Sequence, residues 1–197
     1  NAKETKVDFS ILKSRKGFIA NNYAMSISGR ASSTIDKLVI APLLGFALLG
    51  NYSLALQLFV ILLIVPMIIY KYLLPQDASG QLNRKLRQVT IILSVGIAIL
   101  GIGLFPYIIP NFFPKFIDAI DAIQIMSVAI IPATITLLYT SKLLGLEKSK
   151  YVLITEIIST SALIVGFIIL GPIFGVMGLA SVFVLSVTLE ATLLFCI

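Results

Sequence analysis

The sequence has no histidine, no tryptophan and a single cysteine, and Asp, Glu, Lys and Arg together make up only 12% of its 197 residues. Without histidine there is no imidazole general base, no imidazole metal ligand and no side chain that titrates unperturbed near neutral pH. Cys196 alone can close no disulfide within the chain and build no thiolate zinc site. No G-x-x-x-x-G-K-[ST] run occurs to cradle a phosphate. An enzyme is therefore not expected, nor a cofactor or a bound metal. The scarcity of charge excludes more. Hydrophobic residues reach 58%, against about 45–50% hydrophobic and about 25% charged in an ordinary soluble domain. A water-soluble particle of this size could not cover its exterior, whereas lipid accepts apolar side chains and demands only that backbone polar groups be paired.

Windows of about 20 apolar residues, the length that crosses ~30 Å of hydrocarbon, fall at about 18–48, 51–74, 88–109, 120–141, 151–170 and 174–197. Turn signals separate them: Gly50-Asn51, Pro75 to Gly80, Pro106 to Pro114, Gly145 and Gly171-Pro172. The expectation is an all-α, polytopic transmembrane bundle of about six helices over 18–197. Residues 1–17 precede it as an amphipathic, basic lead segment, Phe9, Ile11, Leu12 and Phe18 alternating with Lys13, Arg15 and Lys16 on the inner membrane surface.

The basic residues set an orientation. Lys3, Lys6, Lys13, Arg15 and Lys16 lead the chain, Lys71, Arg84, Lys85 and Arg87 flank the second connection, and Lys142, Lys148 and Lys150 the fourth. The alternate connections carry only Lys115, beside Asp118 and Asp121. Basic loops stay cytoplasmic, so the lead segment and every second loop are expected inside. Tyr70, Tyr72, Tyr139 and Tyr151 then fall at inner boundaries, and Tyr52 and Tyr107 at outer ones. The net charge of +6 reads as topology and attraction to lipid headgroups, with no nucleic-acid partner.

The first span differs from the others. Asn22, Ser26, Arg30, Ser33 and Lys37 recur at helical spacing and line one face, with Asp36 close by. Arg30 is about 20 Å along the helix from Gly17, too far to snorkel out, and such a stripe reads as the wall of a wet path for an ion or substrate. Two plainer readings stand beside it: Lys37 and Asp36 at an outer interface, and Arg30 in a buried ion pair with Glu156 or Glu190. Glu156, with Ser159 and Thr160 one turn on, and Glu190 are possible coupling or ion-pair carboxylates. Pro66 and Pro132 should kink the second and fourth spans, as hinges or as mere shape. Gly96, Gly101 and Gly103 should let a neighbouring helix approach.

The order of these pieces resembles a known family. Ser33-Thr34-Ile35-Asp36-Lys37-Leu38-Val39-Ile40, Leu43-Leu44-Gly45 and Leu49-Gly50-Asn51-Tyr52-Ser53-Leu54-Ala55 are similar to the seventh-to-eighth helix region of polysaccharide flippases of the Wzx or polysaccharide-transporter type, in the MATE-like superfamily. Phe112-Phe113, Phe116, Leu143-Leu144-Gly145, Lys148-Ser149-Lys150 and Gly171-Pro172 with Gly175-Val176-Met177-Gly178-Leu179-Ala180 continue the match in the same order. The resemblance implies the C-terminal six-helix lobe of a flippase in the cytoplasmic membrane, whose partner lobe precedes it. That expectation agrees with a chain that opens on Asn1 and closes inside an apolar run. It further implies a lipid-linked oligosaccharide on a polyprenyl-phosphate-type carrier as substrate, moved between leaflets for surface polysaccharide synthesis. Arg30 would then meet the carrier phosphate with Lys37 as a second contact, and Asn22, Ser26 and Ser33 would bind sugar hydroxyls. A cation-coupled multidrug exporter of the same superfamily, using Glu156 or Asp36, and a non-transporting membrane scaffold are the alternatives.

Overall fold

In lipid every backbone polar group must be paired within the chain, and the described residues are helical with no strand among them. The computed structural model of the protein describes residues 16–197, except for several side chains between positions 18 and 36. All of the amphipathic lead segment before Lys16 lies outside the described residues. The helices are α1 (Lys16–Leu44), α2 (Phe46–Leu62), α3 (Ile64–Ala78), α4 (Arg84–Phe112), α5 (Ala119–Val128), α6 (Ile130–Gly145) and α7 (Ser149–Cys196), with a 3-10 turn at Pro114–Phe116.

Proline accounts for two bends. Pro66 cannot donate to the Leu62 carbonyl, and α2 and α3 meet there at 49°. Pro132 likewise releases the Val128 carbonyl, and α5 and α6 meet at 43°. Both kinks lie a turn before the proline, as expected from the sequence. The cluster from Pro106 to Pro114 does not end its helix so early: α4 runs through Pro106 and Pro110 to Phe112. The carbonyl of Ile102, four residues before Pro106, accepts a hydrogen bond from Gln124 Nε2 at 3.0 Å. A neighbouring helix thus supplies the donor that proline lacks.

Two other boundaries fall elsewhere than expected. The first break is at Gly45, not Gly50-Asn51, and its φ of 87° and ψ of 166° suit glycine. The last is at Gly175, not Gly171-Pro172: this is the one residue inside α7 off helical geometry, at φ 56° and ψ −135°, a region open essentially to glycine alone. Gly175 turns the chain back on itself. Gly166 abuts Val182, a Cβ on Gly171 would lie 3.2 Å from Leu179 Cδ2, and Gly178 packs against the Leu170 backbone. Ser159 and Glu190 meet across the two arms, 149–174 and 176–196, at 3.1 Å. Each arm is about 30–40 Å long, enough to cross a bilayer.

By length and composition α4 and α7 can cross a membrane, as can each bent pair, α2 with α3 and α5 with α6, taken as one span. The 29-residue α1 is as long as α4 but, with its polar stripe, is not among them. On α4 the buried positions are Thr90, Ser94, Ala98, Gly101, Phe105 and Ile109, while Ile92, Leu93, Ile99, Leu100 and Leu104 are exposed. The outward face is thus more apolar than the inward stripe, the inverse of a soluble helix, and the molecule is a membrane protein. At Gly101 a Cβ would lie 2.6 Å from Ser127 Oγ and 2.8 Å from Leu62 Cδ1, so α4 meets its neighbours closely there. Gly96 and Gly103 have open space instead, and the expected glycine contact narrows to one residue.

The core runs through Ile40, Tyr52, Phe59, Phe105, Met126, Ile130, Phe167 and Leu179. Tyr52, expected at an outer interface, is instead 1% exposed and stacks edge-on against Phe167 at 5.4 Å. Its flat ring fills the contact between α2 and the first arm of α7. One end of the bundle gathers the connections from 78 to 84 and from 145 to 149, where Leu143, Val152 and Leu194 cluster under Tyr139. The other gathers Leu44 with Gly171, Leu48 with Gly175 and Gly50 with Phe116. Arg84, Lys85, Arg87, Lys142, Lys148 and Lys150 therefore share one end, and Lys115, Asp118 and Asp121 the other. Substituting Gly175→Ala should cost about 1–3 kcal/mol of stability in detergent; thermal unfolding of the purified protein checks this, against a neutral control at Gly96.

Candidate functional site

Hydroxyls inside an apolar bundle need acceptors. Thr90, Ser127 and Thr134 donate to the carbonyls four residues back in their own helices, at 2.6 to 2.7 Å. Ser141 and Ser159 depart from this pattern, because each reaches a carboxylate on another segment: Ser141 donates to Asp77 and Ser159 to Glu190. These two carboxylates carry the charge chemistry of the described interior.

Asp77 ends α3 and is neutralised. Arg87 Nη2 donates to its two carboxylate oxygens at 2.7 and 2.5 Å, and Nη1 donates to the Leu138 carbonyl at 2.6 Å. The side chains are 2% and 13% exposed. Gly145 makes room for the arrangement, since a Cβ there would lie 2.7 Å from the Asp77 carbonyl carbon. Three segments, α3, α4 and α6, are thus clamped at the basic end of the bundle. Sequence reasoning assigned Arg87 to topology alone and passed over Asp77. The signal was there as an isolated acid among basic residues, ten positions before an arginine on the next helix.

Glu190 is different. It lies on the second arm of α7, half-buried, and Ser159 on the first arm is its hydrogen-bond partner. Among the described residues no cation lies within ion-pair distance of it. It looks into a cleft of about 320 Å³ between α2 and the two arms, lined by Tyr52, Phe59, Leu163 and Phe183, with Ser159 and Ser186 beside the carboxylate. The rings of Phe59 and Phe183 meet edge-on at 4.9 Å. The polar patch foreseen around Glu156 is thus shared across the hairpin: Ser159 Oγ is also 3.0 Å from the Glu156 carbonyl, while the half-buried Glu156 side chain does not line the cleft.

The stripe on α1 is placed in part. Asn22 is half-buried, Ser26 and Lys37 are exposed, and Ser26 donates to the Asn22 carbonyl at 3.0 Å. The side chains of Arg30, Ser33 and Asp36 lie outside the described residues, although their backbone is helical. Of the described stripe residues, Asn22, Ser26 and Lys37 do not line the Glu190 cleft, and no group of three acidic or cysteine side chains suited to a metal occurs among the described residues. No protein-family model, curated protein or solved structure matches the chain.

Removing one partner of a buried ion pair strands the other. Asp77→Asn should destabilise the protein by about 3–5 kcal/mol, whereas Asp77→Leu combined with Arg87→Met should regain most of the loss. Thermal unfolding of the single and double variants in one detergent reads both effects.

Proposed function

We propose that the protein is one lobe of a membrane transporter that moves a lipid-linked oligosaccharide from the inner to the outer leaflet of the cytoplasmic membrane. The observation that carries this reading is α1. It is long enough to cross the bilayer, yet it bears a stripe of polar and charged residues, of which Ser26 and Lys37 are exposed and Asn22 is half-buried. Exposed polar positions on a helix of this length need water or a second lobe against them. A hydrated vestibule between two lobes supplies both, and rocking of one lobe against the other would expose it alternately to each side.

Within this reading Arg30 holds the carrier phosphate, because guanidinium stays charged in a low-dielectric site and presents several donors to the oxygens. Lys37 adds a second cation, and Asn22, Ser26 and Ser33 offer hydrogen bonds to sugar hydroxyls. The shared basic end of the bundle supports a cytoplasmic position for that end and for the start of α1. The bends at Leu63 and Ala129 provide the places where a helix can flex as the lobe moves. The resemblance to polysaccharide flippases supplies the substrate class.

Arg30→Gln should abolish export of the glycan in cells that depend on this protein, with its membrane level unchanged by immunoblot. Arg30→Lys should restore part of it. Normal export by Arg30→Gln would remove the assignment.

A further inference from the structure

The turn from α3 to α4 is held in shape by its own backbone. The Gln76 carbonyl accepts from Ser79 N at 3.1 Å, from Ser79 Oγ at 2.9 Å and from Gln81 N at 2.9 Å, and Gly80, at φ 80°, donates to the Asp77 carbonyl at 3.1 Å. The Asp77–Arg87 ion pair ties the ends of the two helices together. The result is a shallow pocket of about 520 Å³ at the basic end of the bundle, lined by Gln76, Gln81, Leu82, Asn83, Arg84 and Lys85. Two cations and three carboxamides face a ligand there, with no acid among the described residues of the lining.

Such a lining selects an anion that also takes part in hydrogen bonds. Arg84 and Lys85 are exposed and open α4, so they stand at the positive end of its dipole. Asn83 Oδ1 accepts from Leu86 N at 3.1 Å, which leaves its N–H groups as donors, and a guanidinium meets phosphate oxygens through a fork of parallel donors. The helices beyond the pocket decide between a free phosphate and a lipid. On α4, Lys85, Val89, Ile92, Gly96 and Ile99 recur at steps of four and three; Val89, Ile92 and Ile99 are 57%, 72% and 65% exposed, and Gly96 faces open space. On α3, Gln76, Tyr72 and Ile68 recur at steps of four, the last two 58% and 61% exposed. Each wall of the pocket therefore continues along its helix as an outward apolar stripe. A free anion gains nothing from those stripes. A phospholipid with two acyl chains covers both of them while its phosphate meets Arg84 and Lys85.

We propose that this pocket is a headgroup site for an anionic phospholipid of the surrounding bilayer, with Arg84 and Lys85 on the phosphate, Gln76 and Gln81 on glycerol hydroxyls, and the acyl chains along α3 and α4. The site shares no residue with the α1 stripe, and its test does not involve glycan export, so either reading can fail without the other.

The experiment titrates the full chain, purified in an uncharged detergent, with phosphatidylglycerol and counts bound lipid by native mass spectrometry. Phosphatidylcholine with the same acyl chains tests the charge, glycerol phosphate tests the headgroup without chains, and polyprenyl phosphate tests a phosphate on a single chain. One phosphatidylglycerol should bind at least about tenfold more tightly than phosphatidylcholine, and Arg84→Gln with Lys85→Gln should bring it down to the phosphatidylcholine value. Lys148→Gln with Lys150→Gln removes the same charge from the same end of the bundle and should leave binding within about twofold. Gln81→Glu sets an acid in the exposed turn while keeping both cations; it should weaken binding at least about fivefold, and it reads the site even if the double variant does not fold. Phosphatidylglycerol binding no tighter than phosphatidylcholine would overturn the proposal, as would an equal loss from the Lys148 and Lys150 substitutions. Glycerol phosphate or polyprenyl phosphate binding as tightly as phosphatidylglycerol would overturn it too.

Discussion

A low-dielectric exterior governs this molecule. Where lipid replaces water, the hydrophobic effect no longer sorts side chains between inside and outside, and the cost of an unpaired polar group becomes the deciding term. α4 illustrates the result, with isoleucine and leucine outward and threonine, serine, alanine and glycine inward. The same constraint explains why Gln124 stands beside the carbonyl that Pro106 leaves unpaired, and why most interior hydroxyls fold back onto their own helices. Charges are subject to it most strongly. Asp77 and Arg87 meet its demand within the chain, while among the described residues Glu190 is met by the Ser159 hydroxyl beside a cleft.

The hairpin at Gly175 is what gives Glu190 that position. Had α7 continued straight, Ser159 and Glu190 would stand about 46 Å apart. Folding back at one glycine places them in hydrogen-bond contact, seats Phe183 against Phe59 and brings both ends of α7 to the basic end of the bundle. Small residues make the close return possible, with Gly166, Gly171 and Gly178 each facing a side chain or backbone of the opposite arm.

Much of this was legible in the sequence because it rests on local chemistry. Apolar runs of bilayer length, alternating basic connections and the two kinking prolines all belong to short windows, and the helical bundle follows from them. What escaped depends on contacts between distant segments. Tyr52 reads as an interfacial ring until Phe167, more than a hundred positions away, is seen beside it. The Asp77–Arg87 pair needs α3 and α4 brought together and Gly145 out of the way. Glu190 was visible as an intramembrane acid, but neither its serine partner nor its cleft could be read from spacing along one helix, since both lie across a turn. Turn positions also moved by a few residues, because Gly50-Asn51 and Gly171-Pro172 are good turn formers that helix packing left inside helices, while Gly45 and Gly175 took up the positive φ.

The bundle depends on α7 folding back at Gly175, and one distance decides it. Spin labels on the native Cys196 and on a cysteine introduced by Lys150→Cys, measured by pulsed electron resonance in nanodiscs, report whether the two ends of α7 lie together. The fold described here predicts a short separation, that of adjacent helices whose axes are about 10 Å apart, broadened by the label arms. A separation near 70 Å, the span of an unbroken helix over these residues, would contradict it and remove the Glu190 cleft.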